Sequence, residues 1–269
     1  MARIVLDNCS YSYSLNPLDR ALSGFTLTIE AGSFISIIGP NGCGKSTLAR
    51  LLNGIIIPSE GSVSIDGMDT KDRKNIYAIR RKVAVLFQNP DNQIVGDTVE
   101  DDTAFGPENL GLEEDEITRR VESSLKSVGL WEKRKLSPNT LSGGEKARLG
   151  IAGILALSPE VLVLDEATAM LDPKGREDVL NILNKLWKEQ GKTIILITHH
   201  PLETLYGERI IVIKEGRIEM DGSVEEVYKN ADKLKSMGLG LPPFIEFSLL
   251  LKERGIACDT LYKMRNKND

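Results

Sequence analysis

Gly39-Pro40-Asn41-Gly42-Cys43-Gly44-Lys45-Ser46 matches the pattern G-x-x-x-x-G-K-[ST] and lies between an apolar run, Phe34 to Ile38, and a helical stretch beginning near Lys45. Glycines at this spacing let the backbone wrap closely enough for successive amide N–H groups to point at phosphate oxygens. The positive end of the following helix adds to the attraction. Lys45 then suits the β- and γ-phosphates of a nucleotide, the Ser46 hydroxyl suits magnesium, and Thr47 adds a contact to the α-phosphate. A glycine-rich turn with a solvated lysine is the plainer reading of the same residues, and the flanking strand and helix weigh against it. Cys43 fills a variable position of the loop, so its thiol needs no chemistry.

Outward from this loop, β-rich apolar runs recur at Phe34 to Ile38, Val83 to Phe87, Val161 to Leu164, Thr193 to Thr198 and Ile210 to Ile213, alternating with helical stretches. Continuous apolar runs suit strands buried on both faces, as in a parallel sheet covered by helices, so the fold class is α/β. Residues 62–65 and 217–220 read as shorter, antiparallel-type strands beside Gly61, Gly67, Gly216 and Gly222. From Asn89 to Ser158 the pattern becomes helical, near 98–109, 114–129 and 144–157, which predicts a helical insert at about 89–157. Beyond residue 230, Leu239 to Arg254 follows the helix-starting pair Pro242-Pro243 and predicts an appended amphipathic helix. The expected division is a domain at 1–230 and an extension at 231–269.

Val161-Leu-Val-Leu-Asp165-Glu166 is an apolar strand ending in two acids, and such strand ends face the ligand crevice of an open α/β sheet. Asp165 is placed for the magnesium shell. Glu166, one residue on, points the other way and is placed to polarise an attacking water as general base. A polar strand end that starts a helix explains these acids equally well in isolation. His199 and His200 follow the run ending at Thr198. His199 directly follows the strand end and is the better candidate for the γ-phosphate.

Charge and composition narrow the class further. The chain has 269 residues, with 34 Lys and Arg against 39 Asp and Glu for a net charge of -5. It lacks the basic footprint of sequence-independent phosphate-backbone binding, so no nucleic-acid partner is expected. Cys9, Cys43 and Cys258 have neither disulfide-framework nor zinc spacing, which fits a reducing cytosol. No apolar run approaches the roughly 20 residues of a membrane span, and the early charges of the N-terminus interrupt any signal-peptide core. A chain of this kind is expected to reach a membrane only through a partner protein.

Leu141-Ser142-Gly143-Gly144-Glu145, followed by helical Lys146 to Leu157, is a second helix N-terminus with a hydroxyl and two glycines. It is an anion site without a lysine. The same residues make an ordinary capping box, and both readings can hold together. This segment resembles the signature of ATP-binding-cassette (ABC) ATPases. The resemblance covers residues 3 to 228 and implies a P-loop NTPase (RecA-like) core with an antiparallel β subdomain, the helical insert and the C-terminal helical extension. ATP and Mg2+ are the implied cofactors. Gly39 to Thr47 would bind the nucleotide, Lys45, Glu166 and His199 would act in hydrolysis, and Ser46 and Asp165 would hold the metal. Ser142, Gly143, Gly144 and Glu145 would meet the γ-phosphate held by a partner's P-loop, which implies a dimer. The family usually has Gln at Glu145.

Further landmarks follow in order. Tyr13 would stack on adenine, with Tyr11 as its rival. Gln88 would join core to insert near the metal and the attacking water, and Asp172 would lie in the loop crossing to the partner. Gln88-Asn89-Pro90-Asp91-Asn92-Gln93, Thr98 to Asp102 and Ala104 to Asn109 resemble the ATPases of energy-coupling-factor importers, and Asp165 to Arg176 resembles the first of their two paralogous types. This implies a second ABC ATPase subunit, with a heterodimer favoured and a homodimer as the alternative. It also implies a transmembrane coupling protein and a substrate-binding membrane protein for a vitamin or transition-metal ion, at the cytoplasmic face. Asp91, Glu100, Asp101 and Asp102 would dock the coupling protein, or form a solvated acidic face. The C-terminal helix would pair the ATPases or cover its own core. A soluble ABC ATPase of DNA repair, ribosome function or cofactor assembly is the alternative.

Overall fold

The computed structural model describes residues 2–14, 19–88 and 92–254. Asp91 and the last residues of the extension lie outside this set.

The apolar runs become the strands of a six-stranded sheet. In chain order these are β3 (Phe34–Ile38), β6 (Val83–Leu86), β7 (Val161–Asp165), β8 (Thr193–Ile197), β9 (Arg209–Lys214) and β10 (Arg217–Ser223). Their spatial order is β10-β9-β3-β8-β7-β6, and all neighbours are parallel except β10 with β9. Every residue of β3, β6, β7 and β8 is buried, as strands covered on both faces must be. One face packs with Leu48, Leu51 and Leu52 of α1 (Lys45–Leu52). The other packs with Leu149, Ile151 and Ala152 of α5 (Gly143–Ala156) and Val179, Leu180 and Leu183 of α6 (Pro173–Gln190). Each such fully buried aliphatic side chain contributes about 1.5–3 kcal/mol of transfer free energy.

The antiparallel layer is larger than the sequence reading allowed. β1 (Ile4–Ser12), β2 (Arg20–Ile29), β4 (Glu60–Ile65) and β5 (Met68–Asp69) form a second sheet in the order β2-β1-β4-β5. The stretch at 217–220 is also antiparallel, as read, but its partner is β9, so it closes the edge of the main sheet as β10. Both short hairpins turn on paired left-handed residues, Asp66 (φ 50) with Gly67 (φ 76) and Glu215 (φ 48) with Gly216 (φ 73). Such turns match the twist of the strands they join.

α2 (Ile76–Lys82) leads into β6. The insert carries α3 (Val99–Asn109), α4 (Glu114–Ser127) and α5. α3 and α5 each begin on a capping box, Thr98 with Asp101 and Ser142 with Glu145. α6 starts at the Asp172 N-cap with Pro173 in its first turn and stops at left-handed Gly191 (φ 65). After β10 come α7 (Val224–Tyr228), α8 (Ala231–Ser236) and α9 (Pro243–Glu253). Val224, Val227, Leu234, Leu241 and Ile245 join Ile38, Ile210 and Val212 in a third apolar cluster. The C-terminal helices therefore cover the chain's own sheet, while Phe247 and Leu250 remain exposed.

Candidate functional site

The strand order sets the site. β3, β8, β7 and β6 are consecutive neighbours, and their C-terminal ends deliver Lys45 and Ser46, His199, Asp165 with Glu166, and Gln88, side by side. Ligands bind at this edge of open parallel sheets.

The loop between β3 and α1 admits no side chain at two of its glycines. A Cβ on Gly39 would lie 2.2 Å from the Ile213 carbonyl oxygen, and one on Gly44 (φ 108) 2.4 Å from that of Ala21. Lys45 is only 6% exposed, and its Nζ donates to the carbonyl oxygens of Gly39 at 2.8 Å and Pro40 at 3.1 Å, so the ammonium spans the loop. Asn41, Gly42 and Ser46 face solvent. Cys43 is buried, and burial pushes its thiol pKa up despite nearby Lys45, which keeps it protonated.

Asp165 is 4% exposed and its Oδ1 has no hydrogen-bond partner among the described residues. Burial raises its pKa and the charge of Glu166 adds to this, while a hydrogen bond from Ser46 and the charges of Lys45 and Arg50 oppose it. A buried carboxylate oxygen beside a serine hydroxyl suits a hard cation. No cluster of three or more acidic, His or Cys side chains able to hold a metal occurs among the described residues. One carboxylate with one hydroxyl fits magnesium, which takes one or two protein carboxylates and completes its shell with phosphate and water.

Glu166 breaks from the strand with φ 54, a left-handed conformation uncommon for a residue with a side chain. Its N–H donates to the Ile197 carbonyl at 3.0 Å and its own carbonyl accepts from Ala169 at 3.0 Å, so the chain turns immediately after Asp165. The two acids consequently diverge. His199 Nδ1 lies 3.5 Å from Glu166 Oε2, whereas His200 packs its ring on His199 at 4.1 Å and buries Nε2. Of the two histidines, His199 is the one paired with Glu166.

Tyr13 is 58% exposed, and its hydroxyl lies 3.3 Å from Thr47 Oγ1 and accepts from Arg50 at 3.0 Å. Tyr11 packs against the core and meets Tyr13 edge-on at 4.9 Å. The exposed ring beside α1 is thus that of Tyr13. Gln88 is exposed at the end of β6. Arg50 was not anticipated, although its position three residues after Thr47 on a helix would have placed it beside that hydroxyl.

The segment read from the sequence as a second anion site stands apart. Ser142, Gly143, Gly144, Glu145, Met170, Asp172 and Gly175 line a cavity of 550 Å3 that contains no residue of the Gly39 to Thr47 loop. Glu145 accepts from the Ser142 N–H at 3.0 Å and from its hydroxyl at 3.1 Å, and also pairs with Lys133. Lys133 first, then Ser142, holds its pKa down to about 2. Asp172 accepts from the Gly175 N–H at 3.1 Å. Of the acids proposed for docking, the three among the described residues are engaged within the chain: Asp101 completes the capping box of α3 with Thr98, Asp102 accepts from Val95 and Gly96, and Glu100 pairs with Lys135.

A P-loop at a parallel sheet edge, an acidic strand end beside it and a separate glycine-rich helix start define a nucleoside-triphosphatase with a signature surface. Residues 22–169 match the profile of the ABC transporter family. The energy-coupling factor transporter ATP-binding protein EcfA1 of Caldanaerobacter subterraneus subsp. tengcongensis is 48% identical over 93% of this chain and 91% of its own. Among solved structures, CbiO1 from Clostridium perfringens, described as part of the ABC transporter complex CbiONQ, superposes with a TM-score of 0.78 at 37% identity, covering 91% of this chain and 97% of that one. A dimeric post-hydrolysis state of the cassette MJ0796 bound to ADP and Pi gives 0.75 at 33% identity, covering 82% and 98%. The chain belongs to the ABC transporter family, among its energy-coupling factor ATP-binding proteins. No helix among the described residues is long and apolar enough to cross a membrane.

Proposed function

We infer that this chain is the ATP-binding and hydrolysing subunit of an energy-coupling factor importer, working as one half of an ATPase dimer beneath membrane partners. The observation that carries the dimer is the separation of its two phosphate-type sites. The Lys45 loop and the Asp165–Glu166 strand end meet at one sheet edge, and the Ser142 cavity includes none of that loop. Each site is completed when the Ser142 surface of one subunit faces the P-loop of another. The relative solved with ADP and Pi is itself dimeric.

In this reading the loop amides and Lys45 bind the β- and γ-phosphates, and the Tyr13 ring receives the adenine. Ser46 and Asp165 hold magnesium, with Gln88 beside them; the ion neutralises phosphate charge. Glu166 takes the proton of the attacking water, and His199, paired with it, contacts the γ-phosphate. From the partner's side, Ser142, Gly143, Gly144 and Glu145 close on the nucleotide, and Asp172 crosses the interface. Residues 1–230 form the ATPase domain with its insert at 89–157, and 231–269 form an extension. The second subunit is a paralogous ABC ATPase. A transmembrane coupling protein and a substrate-binding membrane protein, carrying a vitamin or transition-metal ion, hold the pair at the cytoplasmic face.

Purification of the intact complex, identification of its membrane subunits and measurement of phosphate release test this directly. ATP turnover that disappears on Lys45→Ala is expected. A complex without membrane subunits, or one whose turnover survives Lys45→Ala, would overturn the assignment.

A further inference from the structure

Glu203 lies outside the residues assigned to ATP, yet it is a fully buried acid at 0% exposure. Acids are rarely buried to this degree unless paired. It sits in a 3-10 turn, Pro201–Tyr206, that directly follows the two histidines. That turn is anchored on its far side. Tyr228 of α7 shares a 2.7 Å hydrogen bond with Thr204 and also donates to the Pro201 carbonyl at 3.3 Å.

From this anchored turn Glu203 reaches into the segment joining Glu166 to Asp172. Its Oε1 accepts a 2.7 Å hydrogen bond from Thr168 and lies 3.1 Å from Arg176 Nε. Arg176, in the first turn of α6, donates from Nη2 to the Leu171 carbonyl at 3.3 Å, immediately before Asp172. The segment is therefore held twice by the His199 to Glu203 stretch: at its start, where Glu166 meets His199, and farther on, where Thr168 and Arg176 meet Glu203.

The second joint is incompletely bonded. Arg176 Nε, Glu203 Oε2 and His200 Nε2 are all buried without a hydrogen-bond partner among the described residues. The 3.1 Å ion pair is thus close but poorly aligned for a hydrogen bond. Buried polar atoms in native proteins are nearly always hydrogen-bonded, so these atoms leave the joint with capacity for further partners such as water.

We propose that Glu203 is a positioning residue for hydrolysis: through Thr168 and Arg176 it sets the Glu166 to Asp172 segment, tying the place of the general base to the loop that crosses to the partner subunit. This rests on the ATPase reading above. A displacement of the segment moves Glu166 relative to the attacking water, and small misplacements of catalytic groups are costly in rate. Nucleotide affinity, set by the Lys45 loop, is untouched.

The test uses the assembled complex and avoids removing a buried charge, which can unfold the chain. Thr168→Val keeps the shape and deletes the hydroxyl that holds Glu203, whereas Thr168→Ser restores it. The expected result is a kcat about tenfold lower for Thr168→Val with KM for ATP within about twofold, recovered in Thr168→Ser. An unchanged kcat in Thr168→Val overturns the proposal. So does a rate loss in both variants that merely follows a fall in melting temperature. A wild-type complex without turnover would instead overturn the ATPase assignment, and this inference with it.

Discussion

His199 Nδ1 lies 3.5 Å from Glu166 Oε2, bridging the ends of the adjacent strands β8 and β7. The imidazole is exposed while the carboxylate is largely covered, so His199 is the member of the pair that can reach outward to a phosphate. Glu166→Gln is expected to retain ATP binding, lower phosphate release by about 100-fold or more, and accumulate a closed dimer visible by sizing chromatography. Turnover at the wild-type rate in the assembled complex would remove Glu166 from the role of base.

Asp165 offers a stability readout separate from catalysis. Burial raises its pKa, so the folded chain binds this proton more tightly than the unfolded one, and stability falls as pH rises above the ordinary carboxylate value. Asp165→Asn removes that dependence. The nucleotide-free variant is expected to be more stable by about 0.5–2 kcal/mol at neutral pH, and to lose the added stabilisation given by ATP with magnesium. Thermal melts with and without magnesium check both halves, and a lower melting point for the apo variant would contradict the account.

Acid sensitivity should trace to the signature helix. The Glu145 pKa is lowered from 4.5 to about 2 by Lys133 and Ser142, so its contribution is complete above pH 4.5 and is lost as pH falls toward 2. Glu145→Gln keeps a carbonyl oxygen for the Ser142 N–H but has no charge to titrate. Its melting temperature is expected to decline less steeply than that of the wild type across this window. Parallel slopes would show that Glu145 does not carry the effect.

Asp101 is both the capping-box partner of Thr98 and a candidate docking acid. Its carboxylate accepts from the Thr98 N–H at 3.2 Å. Asp101→Lys is therefore expected to destabilise the chain itself by about 1 kcal/mol before any partner is present. An isolated variant as stable as wild type, but unable to assemble, would assign Asp101 to docking instead.

The central strands were legible because burial on both faces leaves unbroken apolar runs, as in Val161 to Leu164. β1 and β2 were not, because half-buried strands such as Arg20–Ile29 interleave Ser, Gly and Thr with their core residues. β10 was visible as a strand, but its place at the edge of the main sheet depends on β9, a partner that local pattern cannot name. The Lys45 loop and the acid pair announced themselves by spacing. The Glu203 joint did not, since its meaning lies in Thr168 and Arg176, 35 and 27 positions away in sequence. The internal duties of Asp101 and Asp102 also required the folded α3.

The Ser142 cavity excludes the chain's own P-loop, so under the proposed dimer genetic damage would have to be assigned subunit by subunit. In the dimer proposed above, a lesion at Lys45 would silence the nucleotide that this chain holds, whereas a lesion at Ser142 would silence the one its neighbour holds. In a pair built from two different chains, the two defects fall on opposite sites although they reside in one polypeptide. Two singly damaged chains can therefore leave one intact site or none, depending on which lesion each carries.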